Sequence, residues 1–242
     1  MSNFARRITG FTAVTDVLRI LGLPVPTTAA GSTDKTVLQM WQLASEVGQQ
    51  LLDEHDWQIL HADMTITTIP GQTIYPLPED FAGFGDDTSW NRTNRLPAIG
   101  SLTEVEWAML KARNLGGTTF AMMYIISNDV VEFYDVGSTP QVVVLPYASR
   151  GWVLAADNTT RRDTLQQDDD HILFDPQLFK VALKLAWQTA KGFDVSGTAA
   201  EMQRVLSNAK DKDAPARTLS LKKGANGVLL NQINIPDTNY GS

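Results

Sequence analysis

The spacing of apolar residues changes twice along this chain, and those two changes restrict its fold more than any single motif does. From Thr12 to Trp57 apolar residues recur three or four apart; between 63 and 153 they alternate; from Asp175 to Ala209 the helical spacing returns. A helix buries one stripe and a strand buries one face, so this order predicts helices, then an antiparallel β unit, then helices. Such segregation defines an α+β class. The expected arrangement is a bundle of about four helices drawn from residues 1–62 and 155–215. A β domain at 63–154 is inserted between the second and third helices, and an extended C-terminal arm occupies 216–242.

The first helix is read from TAVTDVLRILGLP: Val14, Val17, Leu18 and Leu21 form its stripe, Thr12 is its expected cap, and Gly22 and Pro24 stop it. PVPTTAAGS then reads as a linker. The second helix has Ser32 or Thr33 as cap, Asp34 near its positive end, and a stripe from Val37 through Met40, Trp41, Ala44 and Val47 to Leu52. It ends near His55 or Trp57. In the β unit, ADMTITTIP is a strand that Pro70-Gly71 turns. GQTIYPLPEDFAGFGDDTSW follows; Pro76 and Pro78 make it an edge strand or extended segment, running into a Gly/Asp loop. Thr103 to Lys111 is a short helix, FAMMYII and VVEFYDV form a hairpin around Ser127-Asn128-Asp129, and QVVVLPYAS is a further strand. About five or six strands are expected.

DPQLFKVALKLAWQTAKGF has the clearest helix boundaries, with Asp175 as N-cap, Pro176 in the first position and Gly192 at the end. Thr198-Ala-Ala-Glu201 reads as a capping box that opens the last helix. Beyond Pro215 the periodicity is lost, while Val228, Leu229, Leu230, Ile233 and Ile235 remain apolar, so this arm is expected to order on a partner.

Composition closes several routes. With 43% hydrophobic and 19% charged residues the chain is globular, and no apolar run is long enough for a transmembrane helix. MSNFARRITGF has no apolar region behind its arginines, so no secretory signal is expected. The absence of cysteine removes disulfides, thiolate nucleophiles and Cys-ligated metals. A net charge of −7 lacks the basic footprint of a domain that grips nucleic acid.

The search for chemistry assigns no catalytic residue, no metal and no cofactor. His55 and His61 are six apart, which does not put two ligands on one helix face; with Glu54 and Asp56 they bind a metal only if the chain turns there, and otherwise His55 sits at a helix C-terminus. Asp168-Asp169-Asp170-His171 is either a cation site or a solvated loop. Glu79 with Asp80, or Glu104 with Glu106, are carboxylate pairs, but neighbours in sequence do not make an acid and a base across a cleft. GFGDD is not a phosphate-binding glycine motif. The six tryptophans, at 41, 57, 90, 107, 152 and 187, read mainly as core and interface anchors.

The order of these pieces resembles the head-to-tail adaptor proteins of short-tailed bacteriophages, also called tail tubular protein A or head-completion proteins. The resemblance rests on the helix with Leu38 to Trp41 that ends in His55-Asp56-Trp57, the Thr/Ile strand, and Gly71-Gln-Thr-Ile-Tyr75-Pro-Leu-Pro78-Glu-Asp80-Phe81. Trp90, the Glu106-Trp107 pair and the V-x-L-x-Y segment from Val143 to Tyr147 complete it, so that residues 35–150 carry it best. It implies a structural virion protein, a ring usually of twelve copies beneath the portal, with DNA passing through its lumen unread. The arm residues 228–235 would meet the portal or a neighbouring subunit. Phe81, Phe84, Asp86, Asp87 and Trp90 would form a loop facing the next tail component or a neighbour. The alternative that the resemblance leaves is a virion-associated peptidoglycan hydrolase, with Glu79 or Glu106 as its acid.

Overall fold

The computed structural model describes residues 7–84, 89–113 and 121–213. It is a mixed α+β structure, with five α-helices and antiparallel sheets among the described residues. A short strand β1 (Ile8–Thr9) leads into α1 (Gly10–Ile20), which is followed by α2 (Lys35–Glu54). The β unit comprises β2 (His61–Thr67), β3 (Ile74–Pro76), β4 (Phe81–Phe84), β5 (Trp90–Asn91), β6 (Leu96–Pro97), α3 (Glu104–Arg113), β7 (Tyr124–Ser127), β8 (Val130–Phe133) and β9 (Val142–Ser149). Three short strands, β10 (Val153–Leu154), β11 (Arg161–Arg162) and β12 (His171–Ile172), precede α4 (Pro176–Ala190) and α5 (Ser196–Asp213).

Helix starts depend on which side chain reaches the free first-turn amides, and three of the expected caps are displaced. α1 is capped by Thr9, whose Oγ1 accepts from Thr12 N–H (3.1 Å), so Thr12 lies inside the helix. α2 is capped by Asp34, which accepts from Thr36 N–H (2.7 Å), in place of Ser32 or Thr33. α5 starts before Thr198, with Asp194 accepting from Ser196 N–H (3.0 Å), so Thr198 is a buried helical residue. The capping box stands instead at the start of α3: Glu106 N–H donates to Thr103 Oγ1 (3.3 Å) and Glu106 Oε2 accepts from Thr103 N–H (2.9 Å). Asp175 caps α4 as the sequence indicates, with Pro176 following.

The largest core gathers α1, α2, α4 and α5 with Trp57, Leu60 and the segment from Trp152 to Leu154. Trp152 is fully buried and stacks on Phe174 and Phe179, at ring centroids 5.9 and 5.8 Å away. Gly48 makes room for it: a Cβ there would lie 2.1 Å from the Trp152 ring. Residues 152–154, which the sequence places with the β domain, thus belong to the helical core. There β10 pairs with β11 and β12, and β12 with β1, in a four-stranded sheet that the sequence did not reveal.

The strands of the β unit form two sheets, one of five and one of three strands, in place of the five or six strands expected overall. β9 is the central strand: β2 pairs along one side, and β4 and β5 pair in tandem along the other. Its burial alternates at every residue, placing Val143, Leu145 and Tyr147 inward, as the period of a strand requires. β3, β8 and β7 form the second sheet, and Ile66, Tyr75, Phe133, Val143 and Leu145 share one core between the two. β3, with Pro76, is an edge strand, because proline cannot donate to a second neighbour. The β7–β8 reversal turns at Asn128 and Asp129, whose φ angles of 49° and 60° suit residues that tolerate the left-handed region.

Candidate functional site

The stretch PLPEDFAGF, which the sequence marks as irregular, forms part of the junction between the helical core and the β unit. Asp80 accepts from Tyr147 Oη (3.0 Å) and from Ser149 Oγ, both on the inward face of β9. Its own carbonyl accepts from Arg150 N–H (2.7 Å), and the Arg150 guanidinium donates to Phe81 O (3.1 Å). Burial, followed by the Asp80 carboxylate, pushes the Tyr147 phenol up to about 12. Phe81 through Phe84 then pairs with β9 across a bulge between Phe81 and Gly83, so these residues form a strand where a loop was expected. Phe81 and Phe84 stack edge to face at 4.8 Å, and Phe81 lies 5.8 Å from Tyr147.

Beside this cluster is a cleft of about 320 Å³, lined by Phe84, Pro146 and Tyr147, by Asp56 just beyond α2 and by His61 at the start of β2. His61 Nε2 lies 2.8 Å from Asp56 Oδ1. His55 caps the end of α2 and faces Asp213 of α5 at 3.3 Å. The two histidines are therefore held by different carboxylates, and no group of three or more metal-ligating side chains occurs among the described residues.

Of the expected contact loop, Phe81 and Phe84 are half-buried in this aromatic cluster, while Trp90 is 43% exposed on β5. Asn91, its neighbour, is buried and donates to Gln141, so alternation turns the Trp90 indole outward. Asp86 and Asp87 lie outside the described residues, as do Val228, Leu229, Leu230, Ile233 and Ile235 of the arm. The other tryptophans at 57, 107, 152 and 187 are buried, and Trp41 is partly so.

The carboxylates weighed for chemistry are held differently. Glu106 accepts from the Thr103 backbone amide and hydroxyl, which keeps its carboxyl below the usual carboxylate range. Glu79 is exposed at the rim of a polar cleft that also contains Asp80, Arg150, Arg161 and Arg162. The Asp168–Asp170 run is a loop in which Asp169 is exposed, while Asp168 and Asp170 turn their carboxylates to backbone amides. Asp168 accepts from Ala29 N–H (3.0 Å), Ala30 N–H (2.7 Å) and Thr28 Oγ1 (2.6 Å), pinning the segment between α1 and α2. Asp170 is fully buried and accepts from Gln166 N–H and Gln167 N–H, both at 2.8 Å, with Arg162 at 3.4 Å. Its carbonyl and that of Asp168 receive the free amides of Gly10 and Phe11 at the start of α1. Sequence reasoning missed this role because Thr28, Ala29 and Ala30 lie 138–140 positions from Asp168 in the chain.

A groove of about 460 Å³ runs between α2, α4 and α5, with Leu43, Ala186, Met202 and Leu206 among its walls. No protein-family model matches this sequence, and no curated protein is significantly similar to it. Among the described residues, no helix is long and apolar enough to cross a membrane.

Proposed function

We propose that the protein is a head-to-tail adaptor of a short-tailed bacteriophage: a structural virion protein, without enzymatic activity, that forms a ring beneath the portal, joins it to the next tail component and lets DNA pass through its lumen. In this reading the four helices form a bundle that carries the β domain as an insertion, and residues 216–242 are an extended arm that contacts the portal or a neighbouring subunit. The observation that carries the proposal is where apolar surface is left uncovered. Among the described residues, Ile69, Ile74, Trp90, Leu96, Ile99, Val105 and Met109 of the β unit are between 36% and 69% exposed, against Ile20, Val25, Leu38 and Phe193 of the helical part. Exposed apolar side chains gathered in one region mark contact surfaces, and a half-exposed tryptophan is a typical interface anchor. Trp90 and Leu96 lie on the adjacent strands β5 and β6, at an edge that a neighbouring chain could cover.

The hydrolase alternative has less support. A general acid needs a carboxyl pKa raised by burial or by a second carboxylate, whereas the bonds from Thr103 lower that of Glu106. Purified protein should add to portal complexes in a sedimentation assay, and a Trp90→Ser, Leu96→Ser variant should keep its fold while losing attachment of the next tail component or of a neighbouring subunit. Unchanged attachment would remove this edge from the proposal. Degradation of peptidoglycan by the purified protein, lost in a Glu79→Gln variant, would favour the hydrolase.

A further inference from the structure

The groove beside α4 lies open between α2 and α5. Lys191, at the end of α4, donates to Gln39 near the start of α2 (2.8 Å), so these two helices run antiparallel. Lys210 of α5 bonds Glu54 at the end of α2 (2.8 Å), so α2 and α5 run parallel on either side of α4. The floor between them is Ala182, Ala186 and Ala190, spaced one helical turn apart, and their methyl side chains keep it low. Leu43, Met202 and Leu206 line the walls and are only partly buried, while Glu46 and Glu54 stand exposed on the rim. The last described residue, Asp213, is fixed at the Glu54 end of the groove, where it accepts from Gln58 N–H (3.0 Å) and faces His55.

We propose that in the free protein residues 228–235 of the same chain lie in this groove. Three arguments carry it. The segment holds Val228, Leu229, Leu230, Ile233 and Ile235, apolar side chains that match the groove's lining. Residues 214–227, which connect Asp213 to it, contain Arg217, Lys222 and Lys223 and no acidic residue, complementary to the exposed Glu46 on the rim. That connection, at ~3.3 Å per residue, reaches up to ~46 Å, whereas the groove from Glu54 to Leu43 spans ~16 Å of helix. Tethering places the segment at an effective concentration of ~mM beside its site, so a modest intrinsic affinity is enough to fill it. The groove and the apolar segment then cover each other until a binding partner takes one of them. This does not depend on what that partner is.

The lack of cysteine makes the test direct. Full-length protein carrying Ala186→Cys and Leu229→Cys, or Met202→Cys and Leu229→Cys, should form a disulfide within one chain on mild oxidation, seen as faster migration at monomer mass. A Val105→Cys, Leu229→Cys pair should stay reduced. Full-length Leu229→Asp, Leu230→Asp should bind an apolar dye at least about threefold more than the unaltered chain, because the groove is uncovered. A disulfide linking two chains would overturn the proposal in favour of a second copy. Absence of the bond in both groove pairs, or unchanged dye binding, would overturn it outright. All of these assays use the free protein, so failure to attach to a portal leaves their result intact.

Discussion

The helical part and the β unit divide their apolar surface unevenly: among the described residues seven large apolar side chains are exposed in the β unit, against Ile20, Val25, Leu38 and Phe193 in the helical part. Around Trp152 the helical core buries Phe179 and Leu183 completely; half-buried Asp168 spends its carboxylate on the amides of distant Ala29 and Ala30, and buried Asp170 on those of nearby Gln166 and Gln167. The β unit has a smaller shared core and leaves Trp90, Val105 and Met109 facing outward. A region that satisfies its own groups has little left to offer a partner, whereas one that stays uncovered must be stable without them. Under the proposed function, this difference gives support to the helices and contact to the strands, apart from the groove beside α4.

Breaking the helical side should have the largest effect. Trp152→Ala removes a fully buried ring from between Phe174 and Phe179 and should cost about 3–5 kcal/mol in urea unfolding; a loss below about 1 kcal/mol would show that the helices are not the supporting half. Gly48→Ala drives a methyl into the same ring and should cost about 1–3 kcal/mol, with the Trp152 fluorescence altered. Asp168→Ala leaves the amides of Ala29 and Ala30 without their acceptor and should cost about 1.5–3 kcal/mol, read as a lower melting temperature.

Tyr147 sharpens the comparison at the junction. Its phenol is raised to about 12, above the ordinary value of 10, so the stability it contributes is complete below pH 10 and is lost as pH rises toward 12. In an absorbance titration, Tyr147→Phe should reduce the tyrosine ionisation seen near pH 12. The smallest stability change belongs to the contact side: Val105→Ser with Met109→Ser should alter stability by no more than about 0.5 kcal/mol while reducing partner attachment. A large loss of stability there would mean that these residues support the fold.

Much of this division was legible in the sequence because it is written in local periodicity. The stripe Val14, Val17, Leu18, the Asp175-Pro176 start of α4 and the Asn128-Asp129 turn are all short-range signals, and the structure places them as read. The caps of α1, α2 and α5 moved by one or more positions because several polar residues compete at each start, and only three-dimensional geometry decides which side chain reaches the amides. The two-residue strands β10, β11 and β12 are too short to carry a period. Asp80 and Asp168 were equally hidden, because their partners lie 67–69 and 138–140 positions away. Trp90 stands out in the sequence as an aromatic after a Gly/Asp stretch, but its exposure depends on the burial of Asn91 beside it.

The most direct test of the proposed adaptor role, and of the division between support and contact, is electron cryomicroscopy of the full-length chain mixed with a phage portal and the next tail component. The account predicts a symmetric ring under the portal, with the β edge at Trp90 and Leu96 covered by a neighbouring subunit or by the tail component. A chain that stays unattached, or a ring in which that edge faces only solvent, would contradict it.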